Sequence, residues 1–209
     1  MFEKFSSAPT YEAHRRSQLN NFKALGNLNA IPGPKFVFTH IILPHPPFVF
    51  ASDGSPLDPP YGFSLNDADD YPESSEEYRK QYAAQVEYLN SQLEPVLDSI
   101  LQNTKNPPII ILQADHGPGM LTDFGSAANT CLAERFSTFS AYFLPGMDPS
   151  KIPDDITPVN LFRIIFDEYY GAQLPLLENA MYYPREAVSV FNLEDVTSQV
   201  DNGVNCILK

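Results

Sequence analysis

Residues 108 to 119 read Pro108-Ile109-Ile110-Ile111-Leu112-Gln113-Ala114-Asp115-His116-Gly117-Pro118-Gly119, and this stretch decides the fold class. A short β-branched apolar run, entered by two prolines and left through Gly-Pro-Gly, predicts a strand buried on both faces. The strand ends on Asp115 and His116. In open α/β sheets, chemistry collects just beyond the carboxyl ends of strands, and Gly117 permits the sharp turn that would present both side chains there. Asp115 and His116 are therefore the leading candidate site residues.

Upstream, Lys35 to Leu43 (KFVFTHIIL) is a second β-branched run, set off by Ile31-Pro32-Gly33-Pro34, and predicts a central strand. It runs into Pro44-His45-Pro46-Pro47, so His45 also follows a strand's carboxyl end and is held by prolines that restrict its backbone. His40, inside the run, reads as a core histidine. From Ser74 to about Asn103, the residues Tyr78, Tyr82, Val86, Leu89, Leu93, Leu97 and Ile100 recur at helical spacing, and Pro95 is expected to bend or split that helix. Strand, helix and strand together make a crossover of the kind that builds a parallel sheet. Residues 51 to 73, with Asp67, Asp69 and Asp70, read as a solvated acidic loop, because the ordered spacing and glycine of a calcium loop are absent.

Downstream, Ser137 to Leu144 (STFSAYFL) predicts a third strand ended by Pro145-Gly146. Thr157-Pro158 opens a helix to Tyr170-Gly171, with Val159, Phe162, Ile165, Phe166 and Tyr169 as its expected buried face. Ala187 to Leu193 is a candidate edge strand. At the start, residues 8 to 26 predict a helix capped by Thr10, with Leu19, Phe22 and Leu25 inward and His14, Arg15 and Arg16 on a solvated face. The expected class is α/β: three layers, three central strands in a mainly parallel sheet, and flanking helices. The expected organisation is a helical segment over 1–30, one α/β domain over 31–195 and a disordered tail over 196–209.

The 209 residues suffice for one well-cored domain. With 13 Lys plus Arg against 26 Asp plus Glu, the net charge is -13, which argues against nucleic acid as a partner. There is no apolar run of membrane-spanning length, and Met1-Phe2-Glu3-Lys4 lacks the basic-then-apolar layout of a signal peptide, so neither an anchor nor an export signal is expected in these residues. Cys131 and Cys206 are expected as free or buried thiols, with a single disulfide as the alternative.

Taken in order over roughly residues 30 to 175, five segments resemble the C-terminal half of a sulfatase-like domain of the alkaline phosphatase superfamily. They are FVFTHIILPHPP with its His-x-Pro, the helix YAAQVEYLNSQLEPVLDSI, IIILQADHGPG with its Asp-His-Gly, ERFSTFSAYFLPG, and ITPVNLFRIIFDEYYG. The likeness is to the version found in bacterial membrane proteins related to lipoteichoic acid synthases and phosphoethanolamine transferases.

That resemblance implies a partial alkaline phosphatase/sulfatase-like fold and metal-dependent hydrolysis or transfer at a phosphate or sulfate ester. Asp115 and His116 would bind the divalent metal ion, with zinc, manganese, magnesium and calcium not distinguished. His45 would contact the substrate anion. Arg135 would line the same pocket, although beside Glu134 it reads by itself as half of a surface ion pair. A cation held by carboxylate and imidazole can activate a hydroxyl nucleophile and neutralise charge on the transferring group. The implied partners are the ester substrate and the missing N-terminal half of the domain or its parent membrane region. The implied location is extracytoplasmic.

The chain departs from the family in its first residues. Relatives carry an earlier strand with another acidic ligand and a Ser, Thr or modified Cys nucleophile, and nothing before Lys35 reads that way. No histidine follows His116. Two protein ligands fall short of the three plus an open position that a catalytic metal normally needs, so the isolated chain is expected to bind metal weakly and to be inactive. Two other readings stand beside this one. The chain is a non-catalytic remnant of the fold that acts as a binding or interaction module, or Asp115 and His116 merely close a turn.

Overall fold

The computed structural model describes residues 10–67, 71–187, 191–202 and 206. The chain divides into two compact units, Met1–Pro107 with Pro118–Met120, and Pro108–Gly117 with Leu121–Ile207. The division at Pro107 falls inside the stretch read from sequence as one domain.

In the first unit, α1 spans Tyr11–Gly26 and starts as expected, with the Thr10 side chain accepting a hydrogen bond from Ala13 N at 3.1 Å. Its inward face is the expected one only at Phe22. His14, Gln18 and Phe22 are buried, whereas Leu19 is exposed. The reason is that Gln18 turns inward to serve a backbone group, its Oε1 accepting from Ile42 N at 3.0 Å, and a search for apolar periodicity passes over such a residue. Arg15 likewise leaves solvent, donating to Leu57 O at 2.6 Å and pairing with Asp58 at 2.9 Å.

The second helix, α2, spans Ser75–Asn103, is capped by Ser74 and continues unbroken through Pro95. Phe22, Leu43, Val49, Phe50 and Tyr88 form the core between α1, α2 and the proline-rich segment, with Ile41, Leu89 and Leu93 packed against it. Burial of each such side chain stabilises the unit by roughly 1.5–3 kcal/mol. Phe48 is fully buried and meets the rings of Tyr71 and Tyr78 edge-on.

Residues 35–43 form no strand, which corrects the expected central strand, and His40 is exposed, not in the core. Phe36 and Phe38 are 92% and 82% exposed. A β-branched run becomes a strand only when a neighbour takes up its backbone groups, and among the described residues no sheet includes this segment.

In the second unit, β1 (Ile110–Gln113) pairs with β2 (Ser140–Phe143), with Ile110 opposite Phe143 and Gln113 opposite Ser140. The pairing is antiparallel. A second antiparallel pair joins β3 (Tyr182–Pro184) to β4 (Leu193–Asp195). The architecture is thus mixed α and β, and the sheets among the described residues are two-stranded and antiparallel where a mainly parallel sheet was expected. The expected strand over 187–193 lies partly outside the described residues, and Leu193 opens β4.

Between β1 and β2 sits the short helix α3 (Leu132–Phe136), and after β2 comes α4 (Pro158–Tyr170), capped by Thr157 and closed by Gly171 in the left-handed conformation at φ 64°. Asn160, Leu161 and Ile165 are the buried residues of α4, while Val159, Phe162, Phe166 and Tyr170 are exposed. The inward face again uses a polar residue: Asn160 both donates to and accepts from the backbone of Leu177, at 2.9 Å each. Ala127, Leu132, Tyr183, Val196 and Val200 make this unit's core. Residues Thr197–Asn202, expected without order, form a 3-10 helix. Cys131 and Cys206 are joined in a disulfide with Cα atoms 4.6 Å apart, so the alternative holds and the expectation of free thiols does not. No helix among the described residues is long and apolar enough to cross a membrane.

Candidate functional site

Asp115 and His116 leave β1 as expected and stand in a turn built on α3. Gly117 N donates to Arg135 O at 2.8 Å, and Leu121 N donates to the Glu134 carboxylate at 3.2 Å. The turn demands a glycine for space. A β-carbon on Gly117 would lie 1.9 Å from the Glu134 carbonyl oxygen and 3.1 Å from that of Ser137. Its φ is ordinary, so the requirement is close packing, not a left-handed backbone.

The Asp115 side chain is 77% exposed and that of His116 32% exposed, with Nε2 of the imidazole 3.6 Å from Asp115 Oδ2. Nδ1 of His116 lies 2.8 Å from Gly117 O, a contact in which only a protonated Nδ1 can take part because a carbonyl has no proton to donate. For the neutral ring that contact selects the tautomer with the proton on Nδ1. In the neutral ring it leaves the lone pair on Nε2, on the side facing the carboxylate. One oxygen and one nitrogen donor thereby share one side of the turn.

Arg135 joins this group. Its guanidinium donates to Gly117 O at 3.2 Å and lies over the Phe124 ring, 5.4 Å from its centre. It therefore braces the turn's backbone from below, and its neighbour Glu134 points its carboxylate at Leu121 N. Arg135, Asp115 and His116 thus come together in one unit.

His45 belongs to the other unit and is held there by backbone. His45 N donates to Ile42 O at 2.8 Å, and Nδ1 lies 2.5 Å from Pro46 O. The residue that secures this segment was not legible as functional. Gln85, fully buried on α2, accepts from Val49 N at 2.8 Å and Phe50 N at 3.3 Å and donates to His45 O at 3.3 Å. The available signal was a glutamine next to the apolar stripe of an otherwise amphipathic helix. Beside His45, a cleft of about 260 Å³ is lined by Pro46, Pro47, Tyr61, Asn66, Asp67 and Tyr71. Burial raises the Tyr61 phenol to about 12 and raises Tyr71 as well, so both remain protonated donors at neutral pH.

His14 is the second residue read differently from sequence. It is 7% exposed, its Nε2 is buried without a hydrogen-bond partner, and burial lowers its pKa, with the charges of His45 and Arg15 acting in the same direction. It lies against Phe63, ring centres 5.7 Å apart.

Asp115 and His116 are donors of the right chemistry for a divalent cation, but they are two. Among the described residues no group of three or more His, Cys, Asp or Glu is placed to hold a metal ion. A cation on this pair alone would carry water at most of its positions, so the donor set does not fit a catalytic centre by itself. No family model, curated protein or solved structure matches this chain.

Proposed function

We propose that this chain is part of a sulfatase-like, metal-dependent hydrolase or transferase acting on a phosphate or sulfate ester, contributing Asp115 and His116 as two metal ligands to a site completed elsewhere. The observation that carries this reading is the placement of His116, whose Nδ1 lies 2.8 Å from Gly117 O while its Nε2 stands 3.6 Å from the Asp115 carboxylate. Metal-binding histidines are oriented by this same kind of second hydrogen bond. Arg135 would keep the Asp-His-Gly turn in register.

In the complete domain, 35–43 would be a strand of a mainly parallel, three-layer sheet. The exposed Phe36 and Phe38, and the exposed α4 residues Phe162 and Phe166, support this, since apolar side chains at strand and helix positions are normally covered. The cover would be the domain's N-terminal half or its parent membrane region. The disulfide supports an extracytoplasmic location, because such bonds persist in oxidising compartments.

The test is calorimetric titration of the purified chain with zinc and manganese, beside Asp115→Ala, with both proteins assayed on aryl phosphate, phosphodiester and sulfate esters. Weak binding that Asp115→Ala abolishes, without turnover, is the expected result. Identical metal binding in the two proteins would remove the ligand role, and would favour the remnant reading in which the fold serves binding or interaction. Tight binding with turnover would overturn the incompleteness of the site.

A further inference from the structure

We infer that the Cys131–Cys206 disulfide is the fastening of the Asp115-His116-Gly117 turn, so that its reduction loosens this turn selectively within its unit. The inference concerns the turn itself and stands whether or not Asp115 and His116 hold a metal.

The connection runs through α3. This helix has five residues, too few to persist on its own, because a single turn fixes several dihedrals for one or two hydrogen bonds. It depends on what is attached to it. On one side it carries the turn, receiving hydrogen bonds from Gly117 N at Arg135 O and from Leu121 N at the Glu134 carboxylate, while the Arg135 guanidinium returns one to Gly117 O. At its start stands Cys131, 2% exposed, whose N donates to Leu121 O at 2.8 Å and whose Sγ accepts from Glu134 N at 3.3 Å. The residue bearing the disulfide is thus one bond from Leu121 and one helical turn from the carbonyl that holds Gly117.

The other end of the disulfide belongs to the C-terminal segment. Val196 and Val200 of that segment pack on Leu132 and Tyr183, and Cys206 follows them. Among the described residues, the contacts between α3 and this segment include that packing beside the disulfide. Loss of the crosslink weakens the hold of this segment on α3, and with it the support that keeps the α3 carbonyls beneath Gly117. Reduction takes two electrons and two protons from a dithiol, which closes to its own cyclic disulfide, and releases two cysteine thiols. The turn is therefore rigid in oxidising surroundings and loose in reducing ones.

The test follows amide hydrogen exchange by NMR in three samples: oxidised protein, protein reduced with dithiothreitol, and Cys206→Ser, which keeps Cys131 and its cap. Thiol titration first establishes that the oxidised chain has no free thiol; two free thiols there would overturn the proposal. In the reduced and Cys206→Ser proteins the Gly117, Leu121 and Cys131 amides are expected to accelerate about tenfold or more beyond the acceleration shared with α4, which reports the loss of the unit's overall stability. Unchanged protection at Gly117 and Leu121 overturns the proposal. So does an equal acceleration at the turn and in α4, which would make the disulfide a brace of the whole unit, including the case where Cys206→Ser fails to fold.

Discussion

Gly117 lies so close under the Glu134 backbone that a methyl group at its Cα would come within 1.9 Å of the Glu134 carbonyl oxygen. The same glycine donates its N–H to Arg135 O, so the two segments cannot separate without breaking that bond. Gly117→Ala should therefore destabilise the second unit by about 2 kcal/mol or more through overpacking. Urea unfolding followed by tyrosine fluorescence measures this. An unchanged midpoint would mean that α3 yields easily and does not set the position of the turn.

Gln85 is the corresponding brace in the first unit, one buried oxygen serving two backbone N–H groups. Gln85→Leu keeps the volume but leaves the N–H groups of Val49 and Phe50 unsatisfied away from water. A loss of about 2–4 kcal/mol is expected, from roughly 1–3 per buried donor left unpaired. Gln85→Glu, which retains the accepting oxygen, should lose less if its buried carboxyl is protonated. Equal stability of Gln85→Leu and the wild type in denaturant would refute the role.

His14 makes the first unit sensitive to mild acid. Its pKa is lowered in the folded chain, chiefly by burial, so the unfolded chain binds more protons as pH falls through the ordinary value of 6.5. Stability is therefore full above that pH and falls below it, until the folded pKa is passed and the penalty is complete. His14→Leu, which removes the titration and an unpartnered buried nitrogen, should flatten the slope between about pH 7 and 5 and leave stability at pH 8 equal or higher. Denaturant midpoints across that range decide it. An identical slope in the variant would show that His14 is not the group responsible.

The disulfide closes a stretch of 75 residues. Restriction of the unfolded chain by a loop of this length amounts to at most about 4.5 kcal/mol, with about 2–4 typical. Cys131→Ser/Cys206→Ser should lower the stability of the second unit by that amount and leave the first unit's transition in place. A single transition moving as a whole would show that the two units unfold together.

Much of the local structure was legible. Thr10 and Thr157 cap helices where the sequence placed them, the helix read from Ser74 begins there, and β1 ends at Gln113, two residues before Asp115. The grouping of Asp115 with His116 needed nothing beyond adjacency and a turn. Arg135 was named with Glu134 as its partner, and its contact with Gly117 was missed, since it spans 18 positions that only folding brings together.

What the sequence by itself determined is where helices begin and end, where β1 stops, and which residues follow it. These depend on caps, prolines and side-chain periodicity within a few residues, and such short-range terms act in any context. Only the tertiary structure decided that β1 and β2 run antiparallel, that 35–43 joins no described sheet, that His14 and Gln18 face inward, and that Cys131 meets Cys206. Each of these is a choice of partner between distant segments. The entropy of closing a loop grows only slowly with its length, so chain separation does little to favour one distant partner over another, and the packing of Val196, Val200 and Leu132 brings the two cysteines together.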